Sequence, residues 1–165
     1  MLSSLITGIF ALGGVGLGVL LEPVKAAVAG KAKNRQDRAE LCTAFINTAA
    51  QMRSYLLALN VRHRMRKVAG MDIDDQVIQD IEENYFGCRT ELRQQLLLIQ
   101  FRGPDDLAIQ AGHVRNADRG LRDARFELDD DGQFDRHVMP RSLKAAAQAF
   151  EAEIEKFALL ARKYT

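Results

Sequence analysis

The stretch "ELDDDGQFD", residues 127–135, sets carboxylates at alternate positions ahead of a glycine. That is the spacing of a calcium loop, with Glu127, Asp129 and Asp131 as ligands one, three and five and Gly132 at the sharp turn. The twelfth position of the same register needs a bidentate glutamate and holds Val138. A strong calcium site is therefore not expected, and the stretch reads as a solvated acidic turn.

The three histidines, His63, His113 and His137, follow Asn60, Gln110 and Phe134 at a distance of three residues. None of these is acidic, so the Glu-x-x-His pairs that hold two metals inside helical bundles are missing. Gly14, Gly16 and Gly18 form GVGLG, but inside an apolar run that no strand precedes, which fails the context a phosphate-binding loop requires. Neither a GxSxG elbow nor a P-loop occurs. Cys42 and Cys88 lack ligand spacing and read as free thiols of a reducing compartment. No catalytic, metal or cofactor set emerges, and an enzyme is not expected.

Basic side chains cluster twice. "RHRMRK", residues 62–67, makes Arg62, Arg64, Arg66 and Lys67 a candidate polyanion patch. Arg115, Arg119 and Arg122 fall on one face of a helix, where Asp118 and Asp123 interrupt them. Neither group has an aromatic platform for bases. The local reading, cations at a helix C-terminus with partners across a hairpin, is preferred, and nucleic acid is not expected as a partner. A net charge of +1 supplies no global field that would draw in polyanions.

These residues need elements to carry them. Residues 1–21 contain no ionisable side chain. As a helix they would be about 31 Å long, against a hydrocarbon core of about 30 Å. Their large apolar residues lie all around the helix, whereas a surface helix of a soluble domain keeps a polar face. A removable signal is disfavoured: no Lys or Arg precedes the run, and the run is longer than a signal core. Lys25, Lys31, Lys33, Arg35 and Arg38 follow it, which places the N-terminus outside and the bulk of the chain in the cytoplasm. Those five cations could also contact anionic lipid headgroups.

Small residues Ser4, Thr7, Ala11, Gly14 and Gly18 recur at alternating steps of three and four, which puts them on one helix face. In lipid such a stripe lets two backbones approach closely, so the anchor is expected to self-associate. Pro23 marks either the start of a new helix or a kink.

Four amphipathic segments follow, at about 31–69, 74–101, 104–127 and 140–163. The first has the seam Leu41, Phe45, Thr48, Met52, Tyr55 and Leu59. The second has Ile78, Ile81, Tyr85, Cys88, Leu92, Leu96 and Ile99. The third has Leu107, Ala111, Val114, Ala117, Leu121, Ala124 and Leu128, and the fourth Leu143, Ala147, Phe150, Ile154, Phe157, Ala161 and Tyr164. Every seam has a period near 3.5, and no stretch alternates with period two. Counting back from the turn near residue 71 puts Cys42 and Cys88 too far apart for a disulfide.

The expected fold class is all-α, a single N-terminal transmembrane helix followed by an antiparallel four-helix bundle. The expected division is an anchor at 1–21, a basic juxtamembrane stalk at 22–40 and a cytoplasmic bundle at 41–165. The expected role is a scaffold, adaptor or regulatory subunit at the inner membrane of a bacterium, an origin suggested by 16 arginines against 7 lysines. The expected partners are the membrane, further copies of the chain and an unidentified protein. The alternatives are a toxin-like effector that perturbs the bilayer and a soluble helical nucleic-acid-binding protein.

Overall fold

A computed structural model describes the backbone of residues 2–128 and 134–165 and the side chains of residues 32–128 and 134–165. Those residues form four α-helices and no strand: α1 (Leu2–Lys67), α2 (Asp75–Arg102), α3 (Asp105–Ala124) and α4 (Arg141–Ala161). The chain divides into two units, residues 1–38 and 39–165.

In the first unit the backbone is helical from Leu2 onward, and the helix is not interrupted at Pro23. Among the described residues no helix is long and apolar enough to cross a membrane. The expected anchor at 1–21, with Ser4, Thr7, Ala11, Gly14 and Gly18, lies outside the residues whose side chains are described, as do Lys25 and Lys31. Lys33 and Arg35 are exposed, and Arg38 is half-buried.

The second unit is an antiparallel bundle. Its helices stop where the sequence supplies a reason. At the end of α1, Gly70 takes a left-handed φ of 63°, which glycine adopts without steric cost. Across it the Met71 N–H donates to the Met65 carbonyl, closing the last turn. Asp74 caps α2 by accepting the Gln76 N–H at 2.9 Å. Gly103 ends α2, and any Cβ there would stand 2.6 Å from the Ile99 carbonyl oxygen. Only glycine lets the chain turn that tightly into Pro104 and α3.

Contacts between neighbouring helices close a ring. Gln95 donates to Thr48 at 3.1 Å, and Cys88 lies 3.6 Å from Gln51, which pairs α2 with α1 in opposite directions. Tyr85 meets Asp118 between α2 and α3. Gln110 donates to Glu153 at 2.7 Å, and Tyr164 beyond α4 donates to Asp106 at 2.7 Å. The circuit returns from α4 to α1 through the Phe45 and Phe157 rings, 4.7 Å apart, and the Arg53–Glu151 pair at 2.8 Å. The ring contact alone is worth about 0.5–1.5 kcal/mol beyond the area it buries.

The core holds Cys42, Phe45, Ala49, Met52, Leu56 and Leu59 from α1, together with Leu92, Leu96, Ile99, Leu107, Val114, Leu121, Leu143, Phe150 and Phe157 from the other helices. Leu41 and Tyr55, expected in the α1 seam, are only half-buried, while Cys42 and Leu56 are sealed. The cause is the geometry of the helix. A face that packs against two neighbours is wider than a two-position heptad seam, so the residues next to the seam go inward. The expected inward residue Leu128 is exposed, since it lies beyond the end of α3. Neither cysteine forms a disulfide; Cys42 is buried and Cys88 half-buried. Cys88 meets Gln51, one turn from the expected neighbour Tyr55.

Candidate anion-binding cleft

The first basic cluster is mostly occupied by the fold itself. Arg64 is 1% exposed. It donates to the Asp135 carbonyl at 2.8 Å, and its guanidinium lies 5.3 Å from the centre of the Phe134 ring. One turn earlier on the same face, Asn60 Nδ2 donates to the Arg125 and Glu127 carbonyls at 3.0 and 2.8 Å. Together they hold both described ends of the α3–α4 connection against α1. Arg66 donates to the Ile73 carbonyl and pairs with Asp75 at 2.6 Å. Arg62 contacts the Met65 sulfur at 3.8 Å. His63, against Phe126, has its pKa pushed down by burial and then by Lys67, Arg66 and Arg125. Of the four residues of the candidate polyanion patch, Arg64 is thus withdrawn from solvent, Arg66 is engaged with the start of α2, and only Arg62 and Lys67 retain freedom at the surface.

The second basic row gains what the first loses. Arg115, Arg119 and Arg122 of α3 line a cleft whose other wall carries Arg89 and Arg93 of α2. The cleft encloses about 30 Å³, room for about two water-sized groups, and opens to solvent beyond them. The α2–α3 turn at Gly103-Pro104 creates this wall. Counted outward from that turn, Arg89 falls opposite Asp118 and Arg93 opposite Val114.

Asp118 does not interrupt the row. It is 4% exposed and points into the bundle. The Tyr85 hydroxyl donates to its two oxygens at 3.1 and 3.4 Å, and Arg89 Nε lies 3.7 Å away. Burial raises the Asp118 pKa, and the Tyr85 hydrogen bond followed by Arg89 and Arg122 opposes the rise. The Tyr85 phenol is pushed up in turn, first by burial and then by the Asp118 charge. Asp123 is drawn to Arg122 at 3.5 Å. Arg93, Arg115 and Arg119 stay exposed and have no hydrogen-bond or ion-pair partner among the described residues.

Five arginines thus line one groove with a single lining carboxylate, Asp118, while Asp123 pairs with Arg122, and three of the five are exposed. Arginine offers a planar fork of donors that matches phosphate and carboxylate oxygens. The chemistry such a set of guanidinium groups offers is recognition of an oxyanion. Residues 129–133, which include most of the near-calcium loop, lie outside the described residues. No cluster of three or more His, Cys, Asp or Glu side chains stands ready for a metal among those that are described.

Sequence reading found the α3 row but missed Arg89, Arg93 and the inward turn of Asp118. For Asp118 a signal was present. Leu107, Ala111, Val114, Asp118 and Leu121 step by four, three, four and three, which places Asp118 in the seam rather than on the surface. Asn60 and Arg64 continue the α1 face from Leu56 in steps of four.

No protein-family model, curated protein or solved structure matches this chain.

Proposed function

We propose that the chain is a single-pass protein of the bacterial inner membrane, N-terminus outside, whose cytoplasmic four-helix bundle works by binding rather than by catalysis. Its role is that of a scaffold, adaptor or regulatory subunit, and its anchor self-associates along Ser4, Thr7, Ala11, Gly14 and Gly18. The observation that carries this reading is the sequence of residues 1–38: twenty-one residues with no ionisable side chain, then Lys25, Lys31, Lys33, Arg35 and Arg38. The order of those two features gives both the span and its direction.

The bundle supports the reading in two ways. Residues 39–165 supply four helices that close a ring around one core, a compact unit suited to presenting a surface. Its most distinctive polar feature is an arginine cleft equipped for recognition. Holding such a body at a membrane raises its effective concentration for weak contacts, without any new interface.

The test is extraction of the full chain from membranes. Resistance to alkaline carbonate and release by detergent is the expected result. Release by carbonate alone would favour a soluble helical protein and end the anchor reading. Gly14→Ile together with Gly18→Ile is expected to reduce cysteine-independent crosslinking between copies at least severalfold. Unchanged yields would remove self-association through the small face while leaving the anchor intact.

A further inference from the structure

We propose that the cleft formed by Arg89, Arg93, Arg115, Arg119 and Arg122 binds a compact phosphate group carrying two or more negative charges, of the phosphomonoester or diphosphate class. This goes beyond the membrane reading and holds whether or not the chain is anchored.

Three observations lead there. The first is the excess of cations. A chain of net charge +1 gathers five arginines on two facing helices, against one lining carboxylate, Asp118, and Asp123 paired with Arg122. Like charges held this close raise the energy of the empty state, and a multiply charged anion relieves it. Arg93, Arg115 and Arg119 supply donors with no acceptor among the described residues, which is what an incoming phosphate oxygen requires.

The second is the floor. Asp118 is buried under the arginines and fixed by Tyr85 from α2. It steadies Arg89 at 3.7 Å from beneath, so that guanidinium is held at the wall of the cleft instead of sweeping through solvent. A carboxylate in that place also lowers the affinity for anions, which gives the site a distinctive response to mutation.

The third is size. From Arg115 to Arg122 the α3 wall runs about 10 Å along the helix axis. The lining residues include no aromatic ring, only arginines, Leu92, Asn116 and Asp118. One or two phosphates fill such a patch. A nucleic-acid strand would call for a longer basic track and surfaces on which bases stack.

The experiment uses the full chain in a neutral detergent at low ionic strength. Binding is followed by phosphorus NMR line broadening and by calorimetry. The probes are sodium pyrophosphate and, in a separate arm, dihexanoyl phosphatidic acid, with sodium chloride at matched ionic strength as the blank. The expected result is saturable binding of pyrophosphate that weakens at least tenfold in Arg115→Ala/Arg119→Ala and is unchanged in Arg162→Ala, at the C-terminus of α4. Asp118→Asn is expected to tighten binding severalfold, which a general loss of structure could not do. Binding of the lipid but not of pyrophosphate, with the same pattern across the variants, assigns the phosphate to a headgroup and leaves the site as stated. The proposal is overturned if neither probe binds above the blank, or if binding ignores all these substitutions. It is equally overturned if a single-stranded oligonucleotide binds steeply with falling salt while both compact probes fail.

Discussion

The two arginine clusters of this bundle have similar composition and opposite fates. At the C-terminal end of α1, Arg64 and Arg66 spend their donors on backbone carbonyls and on Asp75. Between α2 and α3, Arg93, Arg115 and Arg119 keep theirs. What separates them is the position of each side chain relative to the core seam. Arg64 lies in the phase that faces the bundle, beneath a long connection whose carbonyls need donors. Arg115 and Arg119 lie off that phase, and the one charged residue within it, Asp118, turns inward beneath them. Local charge density is therefore a poor guide to binding until the hydrogen-bond obligations of the neighbouring backbone are known.

The largest test of this contrast is Arg64→Ala. It removes a buried cation that holds a carbonyl, and is expected to destabilise the fold by about 2–3 kcal/mol. Thermal unfolding followed by circular dichroism would then show a midpoint lower by several degrees. A midpoint within a degree of the wild type would mean that Arg64 is available to a ligand after all, and the two clusters would no longer differ in kind.

Tyr85→Phe comes next. It deletes the donor to a buried carboxylate and is expected to cost about 1–2 kcal/mol in a urea titration. A smaller loss would show that Arg89 alone satisfies Asp118.

Asp118→Asn sharpens the comparison through pH. Burial raises the folded-state pKa of Asp118 despite Tyr85 and Arg89 of α2, with Arg122 and Asp123 of α3 nearby. The folded state therefore holds this proton more tightly than the unfolded chain. The Asp118 contribution to stability is greatest when the carboxyl is protonated, falls as pH rises past the ordinary aspartate range, and levels off above the raised value. The stability of the Asn variant relative to the wild type should accordingly increase with pH across that window, as read from unfolding midpoints at several pH values. A constant difference would mean that the carboxylate is fully compensated.

The smallest expected effect is that of Arg93→Ala or Arg115→Ala on stability alone, within about 0.5 kcal/mol because these side chains are exposed. A loss comparable to that of Arg64→Ala would erase the distinction on which the cleft rests.

The helices themselves were legible from spacing. Phe45, Met52, Leu92, Leu96, Ile99, Leu107, Val114, Leu121, Leu143, Phe150 and Phe157 go inward where a 3.5-residue seam places them. The turns were legible too, because Gly70 and Gly103-Pro104 are local signals with local causes. What residue polarity concealed was the burial of most of the polar residues at seam positions. Thr48, Asn60, Arg64, Gln95 and Asp118 are all buried, and each depends on a partner supplied by a distant part of the chain. Gln95 needs Thr48, and Asn60 needs the carbonyls beyond α3. Thr48 goes inward where its seam spacing places it, whereas a pattern that sorts residues by polarity sends the other four to the surface. The cleft was half legible: its α3 wall appeared as a row of arginines, but its α2 wall came from the register of the hairpin.

The contrast between the two cysteines has a practical consequence. Cys42 is 3% exposed, whereas Cys88 is only partly covered. With Cys88 replaced by serine, the chain would carry a single thiol, which a maleimide reaches only when the packing around α1 comes apart. The rate of that labelling would then count openings of the assembled helices directly, with no dye attached beforehand and no change to the interior.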